Sequence, residues 1–171
     1  MKKELSIILP IFNERDSLPI MVRLLDSSID FKKEIIIVYD SVNDNAIDVA
    51  KDLVNELKDV KLVHNTIAPG VRFAVEAGVK KANYDVILIT AVDEIFPILA
   101  IDKMISHLIN NNLDFLSGTR YSKGGARLGG SLIGSIFSRI ANVLFKLITR
   151  IPLSDCTTGI KMMKKTVWES I

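Results

Sequence analysis

Cys156 is the only cysteine in the chain, so no internal disulfide can staple the fold, and a single thiol fits a reducing compartment. Nine glycines and five prolines are too few and too scattered for a disordered or low-complexity polypeptide. An excess of either charge is also missing: 22 Lys and Arg against 20 Asp and Glu give no global reason to expect a nucleic-acid partner. No stretch offers the roughly 20 uninterrupted apolar residues of a membrane span. The nearest, residues 128–153, is broken by Arg139, Lys146 and Arg150. The amino terminus, MKKELSIILPIFNE, starts basic, but its apolar run is too short for a signal peptide and is followed by Asn13 and Glu14. His64 and His107 have no metal-ligand spacing with each other or with Cys156, which argues against zinc.

What is there is a chain of 171 residues, 49% hydrophobic and 25% charged, long enough for one well-filled core and therefore expected to be one domain over 1–171. Three apolar runs, LSIILPIFNE, EIIIVYDSVND and DVILITAVDE, each end in acidic or amide residues and lead into a helix-patterned segment. Strands are expected over residues 5–10, 34–39, 60–64, 85–90 and 115–119, and helices over 16–27, 44–57, 70–82 and 98–111. That βαβα order predicts an α/β fold, a Rossmann-like three-layer α/β/α sandwich with a mostly parallel central sheet. Ligands of such sheets bind beyond the carboxyl ends of the strands. Asn13, Glu14, Asp40, Asp44, Asp93 and Glu94 are expected to meet there.

Each of these residues also has a purely structural explanation. Asp93 and Glu94 suit a hard divalent cation bound to a diphosphate, or equally an acidic helix start favoured by the macrodipole. Asp40 stands where a carboxylate could accept from a base or ribose, or form an Asx turn. Asp44 is a good N-cap, and Asn13 with Glu14 could cap the first helix. Gly70 opens the third helix with Arg72 two residues on, a helix N-terminus plus a cation that could hold a diphosphate.

The pattern changes after Tyr121. Residues 122–131, SKGGARLGGS, read as a loop, and residues 132–149 as a long helix. One side of that helix carries Ser138, Asn142 and Lys146. The other carries Ile136, Phe137, Ile140, Leu144, Leu147 and Ile148. Such a helix covers a core or lies in a membrane interface. Arg120, Lys123, Arg127 and Arg139 gather around this region, where an anionic acceptor or an anionic membrane surface would sit. The division expected is a nucleotide-binding part, 1–121, and an acceptor-side part, 122–171. The chain stops at Trp168–Ile171 within what reads as a new helix, so continuation of a longer protein is expected.

Taken together, LPIFNE, IVYDSVNDNA, APGVRFAVEAG, GTRYSKGG and SDCTTGIKMMKK resemble, in the correct order, the motifs of the family 2 glycosyltransferases of the GT-A fold, within them the dolichol-phosphate mannose synthase-like polyprenyl-phosphate sugar transferases. The resemblance implies transfer of a hexose-like sugar from a nucleoside-diphosphate sugar to a polyprenyl-phosphate or glycan acceptor. It implies a nucleotide held by Pro10, Asn13, Glu14, Asp40, Asp44, Gly70 and Arg72, and Mg²⁺ or Mn²⁺ held by Asp93 and Glu94. Acceptor contacts fall to Arg120, Ser138 and Arg139. Asp93, Arg120 and Asp155 are the candidate catalytic groups, with Asp155 as base only for a hydroxyl acceptor and otherwise an aspartate that orders the SDCTTG loop. Peripheral membrane contact through residues 128–152, at the cytoplasmic face of the cell membrane, is the expected location. The chain departs from the family pattern at Ala91, where the first aspartate of D-x-D is usual, at Tyr39, Ser41 and Val42, and at Gly134 in place of an arginine four residues before Ser138. Arg127 and Arg139 are the nearby cations that could replace it. Two alternatives stay open: a nucleotide-sugar-binding module that has lost turnover, consistent with Ala91, and a sugar nucleotidyltransferase, whose glycine-rich loop after the first strand is absent from LPIFNERD.

Overall fold

The computed structural model describes residues 2–121, 132–151 and 153–171. Runs of β-branched side chains favour extended backbone, and they form β1 (Glu4–Ile11), β2 (Lys32–Tyr39), β3 (Val60–His64) and β4 (Val86–Ile89). Short strands β5 (Phe115–Ser117) and β6 (Lys161–Lys164) complete a six-stranded sheet of order β3-β2-β1-β4-β6-β5. β1 runs parallel to β2 and β4, β2 parallel to β3, and β6 antiparallel to β4. The helices are α1 (Ser17–Ser28), α2 (Ile47–Glu56), α3 (Val71–Lys80), α4 (Ile101–Asn110), α5 (Leu132–Thr149) and α6 (Lys165–Glu169).

Alternation along the strands sorts the core onto two faces. Leu5, Ile7, Leu9 and Ile11 of β1 join Ile35, Ile37, Val86 and Leu88 in one cluster with the inner stripes of α1, α2 and α4. Ile8, Ile36, Val38 and Ile87 point the other way, against Ala74 and Val75 of α3 and Val167 and Trp168 beside them. Helices thus cover both faces, and the mostly parallel three-layer sandwich forms as expected. Gly78 sets how closely α3 approaches: a Cβ there would lie 2.6 Å from Ile8 Cγ2 and 2.9 Å from Val38 Cγ2. The antiparallel β6 was not foreseen. Its Met162 packs into the first cluster and Met163 into the second, so a four-residue KMMK segment is buried on both faces without any readable period.

The chain folds as two compact units, one of Met1–Leu116 with Ile160–Ile171 and one of Ser117–Gly159. In the first unit, β2 and β3 extend the sheet on one side of β1 and β4 lies on the other. Strand order therefore reverses between β1 and β4, the position where open α/β sheets bind ligands. In the second unit α5 turns Asn142 of its polar side inward, at 6% exposed, whereas Phe137, Leu147 and Ile148 are 67%, 69% and 79% exposed. Among the described residues the apolar face of α5 is not turned into the core. Residues 122–131, including Lys123 and Arg127, lie outside the described residues. Among the described residues no helix is long and apolar enough to cross a membrane.

Candidate functional site

At the β1–β4 switch the chain ends of both strands line a cavity of about 180 Å³. Its walls are Pro10, Ile11, Phe12 and Glu14 after β1, Ala91, Val92 and Asp93 after β4, and Val71 and Ala74 from the first turns of α3. Pro10, Glu14 and Asp93, far apart in sequence, are thus brought to one crevice. Glu14 is half-buried and accepts from the Ser17 hydroxyl of α1. Asp93 is exposed at the rim, and the Glu94 N–H closes the turn onto the Ala91 carbonyl at 3.2 Å. The slot is apolar inside with carboxylates at its edge, and the amino end of α3 adds the positive end of a helix dipole.

Two hydrogen-bonded ties hold the loops around this slot. Asp40 accepts from Gly70 N–H and from Asn65 Nδ2, both at 2.7 Å, and Asn65 donates also to the Ala68 carbonyl at 2.7 Å. The end of β2 is thereby joined to the entry of α3. Gly70 sits at φ +119°, a backbone conformation open to glycine at little steric cost. Asp44, 8% exposed, accepts from Asn13 N–H at 3.0 Å and Ala46 N–H at 2.9 Å. Asn13 takes φ +59°, in the left-handed region that asparagine tolerates best among residues with a side chain. Asp40, Asp44, Asn13 and Gly70 accordingly shape the crevice through their neighbours Phe12 and Val71, without lining it themselves. α2 begins at Ile47, and Asp44 serves its entry, accepting from Ala46 N–H through its side chain and from Ile47 N–H through its carbonyl. Arg72 lines a separate cavity with Glu76, Lys80, Trp168 and Glu169, so the structure does not bring it to the slot.

Asp93 with Glu94 supplies hard carboxylate oxygens. Among the described residues no group of three or more His, Cys, Asp or Glu converges on a metal position. That donor set fits Mg²⁺ or Mn²⁺ whose remaining ligands come from a diphosphate, and does not fit a cation caged by protein alone.

The second unit is organised by Asp155, whose side chain is fully buried. It accepts from Arg120 Nε at 2.7 Å, Arg120 Nη2 at 2.9 Å and Arg120 N–H at 3.1 Å. Thr157 N–H and Oγ1 and Asn142 Nδ2 donate to the same carboxylate. Burial pushes the Asp155 pKa up, but the bonds from Arg120 and Thr157 outweigh it and hold the carboxyl well below its usual range. A carboxylate so buried and so fully engaged is poorly placed to take a proton, against the expectation of a base. Asn142 continues the network, accepting from Cys156 N–H at 2.6 Å and donating to the Ser138 carbonyl at 2.8 Å. Ser138 accepts from the Tyr121 hydroxyl at 2.8 Å. Arg120 and Ser138 do come together, at 3.5 Å. Arg139 lies with its guanidinium 5.5 Å from the Tyr121 ring centroid and lines a second cavity, of about 440 Å³, along α5. Sequence reasoning set Asn142 on one side of the helix and Tyr121 before the loop without giving either a role in the site. The clue for Asn142 was a neutral amide between cations on a helix otherwise rich in apolar residues.

Comparison with known proteins bears on the fold and lineage. The model of the family described as Glycosyl transferase family 2 matches residues 6–171. The chain is 28% identical over 171 residues to a dolichol-phosphate mannosyltransferase of Pyrococcus furiosus, covering 98% of this chain and 48% of that protein. A mannosyltransferase from Pyrobaculum calidifontis, solved with GDP-Man and Mn²⁺, superimposes with TM-score 0.68 at 16% identity over 97% of this chain and 46% of that one. Glucosyl-3-phosphoglycerate synthase from Mycobacterium tuberculosis, solved with Mn²⁺, UDP and phosphoglyceric acid, gives TM-score 0.77 at 14% identity over 98% and 58%. The chain spans about half the length of the curated relative it matches.

Proposed function

The chain belongs to glycosyl transferase family 2, and from that premise we propose that it binds a nucleoside-diphosphate sugar at the β1–β4 crevice and transfers the hexose to a lipid-phosphate acceptor at a membrane surface. The observation that carries the reading is the apolar slot where Glu14 and Asp93 meet at the reversal of strand order. The slot takes the nucleoside against Pro10, Phe12 and Val71. The ties from Asp40 to Gly70 and from Asp44 to Asn13 keep its walls in register. Asp93, with Glu94 adjoining, would hold Mg²⁺ or Mn²⁺ on the diphosphate, and a cation there supplies Lewis acidity toward the leaving group. The solved relatives named above that hold Mn²⁺ with GDP-Man or UDP support this assignment.

In the reaction an acceptor phosphate oxygen forms the new bond to the anomeric carbon, while the bond from that carbon to the donor diphosphate breaks and the nucleoside diphosphate departs with the electron pair. A phosphate monoester is largely ionised near neutral pH, since its second pKa is about 6. No general base is then needed, in keeping with an Asp155 whose acceptor capacity is already used. The dolichol-phosphate mannosyltransferase relative supports a lipid-phosphate acceptor over a glycan hydroxyl.

Membrane contact is part of the same proposal. Ile136, Phe137, Ile140, Val143, Leu144, Leu147 and Ile148 give α5 an exposed apolar face, and its charged residues, Arg139 and Lys146, are cations. An exposed apolar face edged with cations suits the interface of an anionic bilayer and supports a seat at the cytoplasmic face of the membrane. The test supplies radiolabelled UDP-, GDP- and dTDP-hexoses with Mn²⁺ to vesicles containing a polyprenyl phosphate. Label that becomes extractable into organic solvent supports transfer. Label that stays aqueous with every donor, from a protein that still binds nucleotide, favours a second reading, a binding module without turnover, for which Ala91 in the crevice wall is the motivating feature.

A further inference from the structure

One wall of the β1–β4 crevice is the first turn of α3, through Val71 and Ala74. The chain reaches that turn from β3 along residues 65–70, NTIAPG. Thr66, Ile67, Pro69 and Gly70 are exposed, and no side chain of this connection joins either core cluster. Apolar packing therefore does not decide where Gly70 falls. Asn65, 6% exposed, is the buried residue of the six.

Its amide is engaged on both sides. Nδ2 donates to Asp40 Oδ1 and to the Ala68 carbonyl, each at 2.7 Å, while Oδ1 accepts from Ile67 N–H at 3.0 Å in an Asx turn. The Asn65 backbone N–H donates to the Tyr39 carbonyl at 2.8 Å, which ties it to the end of β2. The second oxygen of Asp40 accepts from Gly70 N–H at 2.7 Å. The Gly70 carbonyl in turn accepts from Phe73 and Ala74 N–H, both at 3.0 Å, so a shift of Gly70 carries the crevice wall with it. A continuous line of bonds thus runs from Asn65 through Asp40 and Gly70 to Ala74. An amide suits its first link, because it donates twice and accepts once from the same group, whereas a carboxylate only accepts.

We infer that Asn65 is a positioning residue for donor binding: it orients Asp40 to catch Gly70 N–H, and so sets the crevice wall and the amino end of α3, the end that favours a diphosphate. The inference rests on the crevice reading above and adds to it a residue that touches no ligand. Asn65 acts through the bond between positions 65 and 40, so reversing the polarity of that bond preserves the effect and breaking it from either side removes it.

The test is a calorimetric titration of the full chain with UDP, GDP and dTDP in the presence of Mn²⁺, on the parent, Asn65→Asp, Asp40→Asn and the variant carrying both changes. Asn65→Asp sets two carboxylates where the bond of 2.7 Å stood, and Asp40→Asn sets two amide donors there. With both changes the amide at position 40 donates to the carboxylate at position 65 and still accepts from Gly70 N–H. Ile67 N–H also keeps its acceptor, and the Ala68 carbonyl alone loses a bond. For the diphosphate the parent binds most tightly, each single variant should bind up to about a hundredfold more weakly, the scale of a misplacement of about 1 Å. The double variant should regain at least about tenfold of that loss, a coupling that independent positions do not show. Amides of residues 70–74 should exchange faster in the single variants and recover in the double, while exchange in β1 matches the parent throughout and shows the sheet folded. A folded Asn65→Asp that binds as the parent does overturns the inference, since the amide then serves the fold alone. So does a double variant that binds no better than the single ones. Where a single variant does not fold, the double variant decides: affinity within about tenfold of the parent supports the inference, and a folded protein without binding overturns it. A parent that binds none of the three diphosphates refutes instead the crevice reading on which the inference stands.

Discussion

Arg120→Met should loosen α5 far more than a partly exposed side chain suggests. The substitution keeps the aliphatic stem and removes the Nε and Nη2 bonds to Asp155, at 2.7 and 2.9 Å, from a carboxylate with no exposed side-chain surface. Breaking a buried ion pair from one side costs about 3–5 kcal/mol. Here the lower end applies, because Arg120 N–H, Thr157 and Asn142 continue to donate. About 3 kcal/mol corresponds to roughly a hundredfold in an opening equilibrium. Since Asn142 and Ser138 tie α5 to this carboxylate, amides of α5 should exchange about a hundredfold faster at pH 7, measured by mass spectrometry and corrected for intrinsic rates. The pH dependence has a definite sign. The folded-state pKa of Asp155 is depressed, so its stabilisation is fully present above the unfolded carboxyl value and is lost as pH falls through the folded one. The gap between parent and variant should therefore hold from pH 7 to 5 and narrow only in stronger acid. Exchange in α5 within about twofold of the parent at pH 7 would refute the view that this pair anchors the helix.

Three further outcomes follow from the same reasoning. Glu34, only 3% exposed in β2, accepts from Ser6 Oγ and Asn83 N–H at 2.6 Å and pairs with Lys61; burial pushes its pKa up, the bonds from Lys61, Ser6 and Asn83 outweigh this, and the net shift is downward. Glu34→Gln should cost about 2–3 kcal/mol in urea unfolding at pH 7 and less as pH falls through the depressed folded-state pKa of Glu34; an equal cost at pH 7 and pH 3 would contradict the charge argument. Gly78→Ala should destabilise by about 1–3 kcal/mol, because the new methyl meets the branched methyls of Ile8 and Val38 and α3 must lift from the sheet; an unchanged melting temperature would show that the helix yields freely. Leu147→Glu with Ile140→Glu should abolish co-sedimentation with anionic vesicles and leave nucleotide-sugar binding intact, both positions being at least half exposed; undiminished co-sedimentation would remove α5 from the membrane contact.

The parts of the fold legible in the sequence were those specified by local pattern. EIIIVY and DVILI read as strands buried on both faces, and the acidic residues after LSIILPI and DVILI marked the strand ends where the crevice lies. β6 was not legible, because two methionines between lysines carry no period long enough to see. For α5 the sequence showed two unlike faces without saying which one turns inward. Helical periodicity is silent on that point, and the answer came from Asp155, whose tie to Asn142 spans 13 residues and whose tie to Arg120 spans 35. The site was legible in the same measure. Glu14 and Asp93 follow from strand ends alone, whereas Asp40 and Asp44 sit at strand ends too but accept backbone N–H groups from other loops. Arg72 shows the limit of such reasoning, since one residue around a helix from Val71 it faces a different cavity.

The account stands most directly on the crevice between β1 and β4. The deciding measurement is thermal unfolding with UDP-, GDP- and dTDP-hexoses, with and without Mn²⁺, on the parent and Asp93→Ala. At a ligand concentration of about 100 times Kd, a ligand selective for the folded state adds about 2.7 kcal/mol of apparent stability. At least one donor should stabilise the parent more with Mn²⁺ than without it, and Asp93→Ala should keep the metal-free shift and lose the remainder. A parent that responds to none of the donors, or an Asp93→Ala variant that responds to Mn²⁺ as the parent does, would contradict the account.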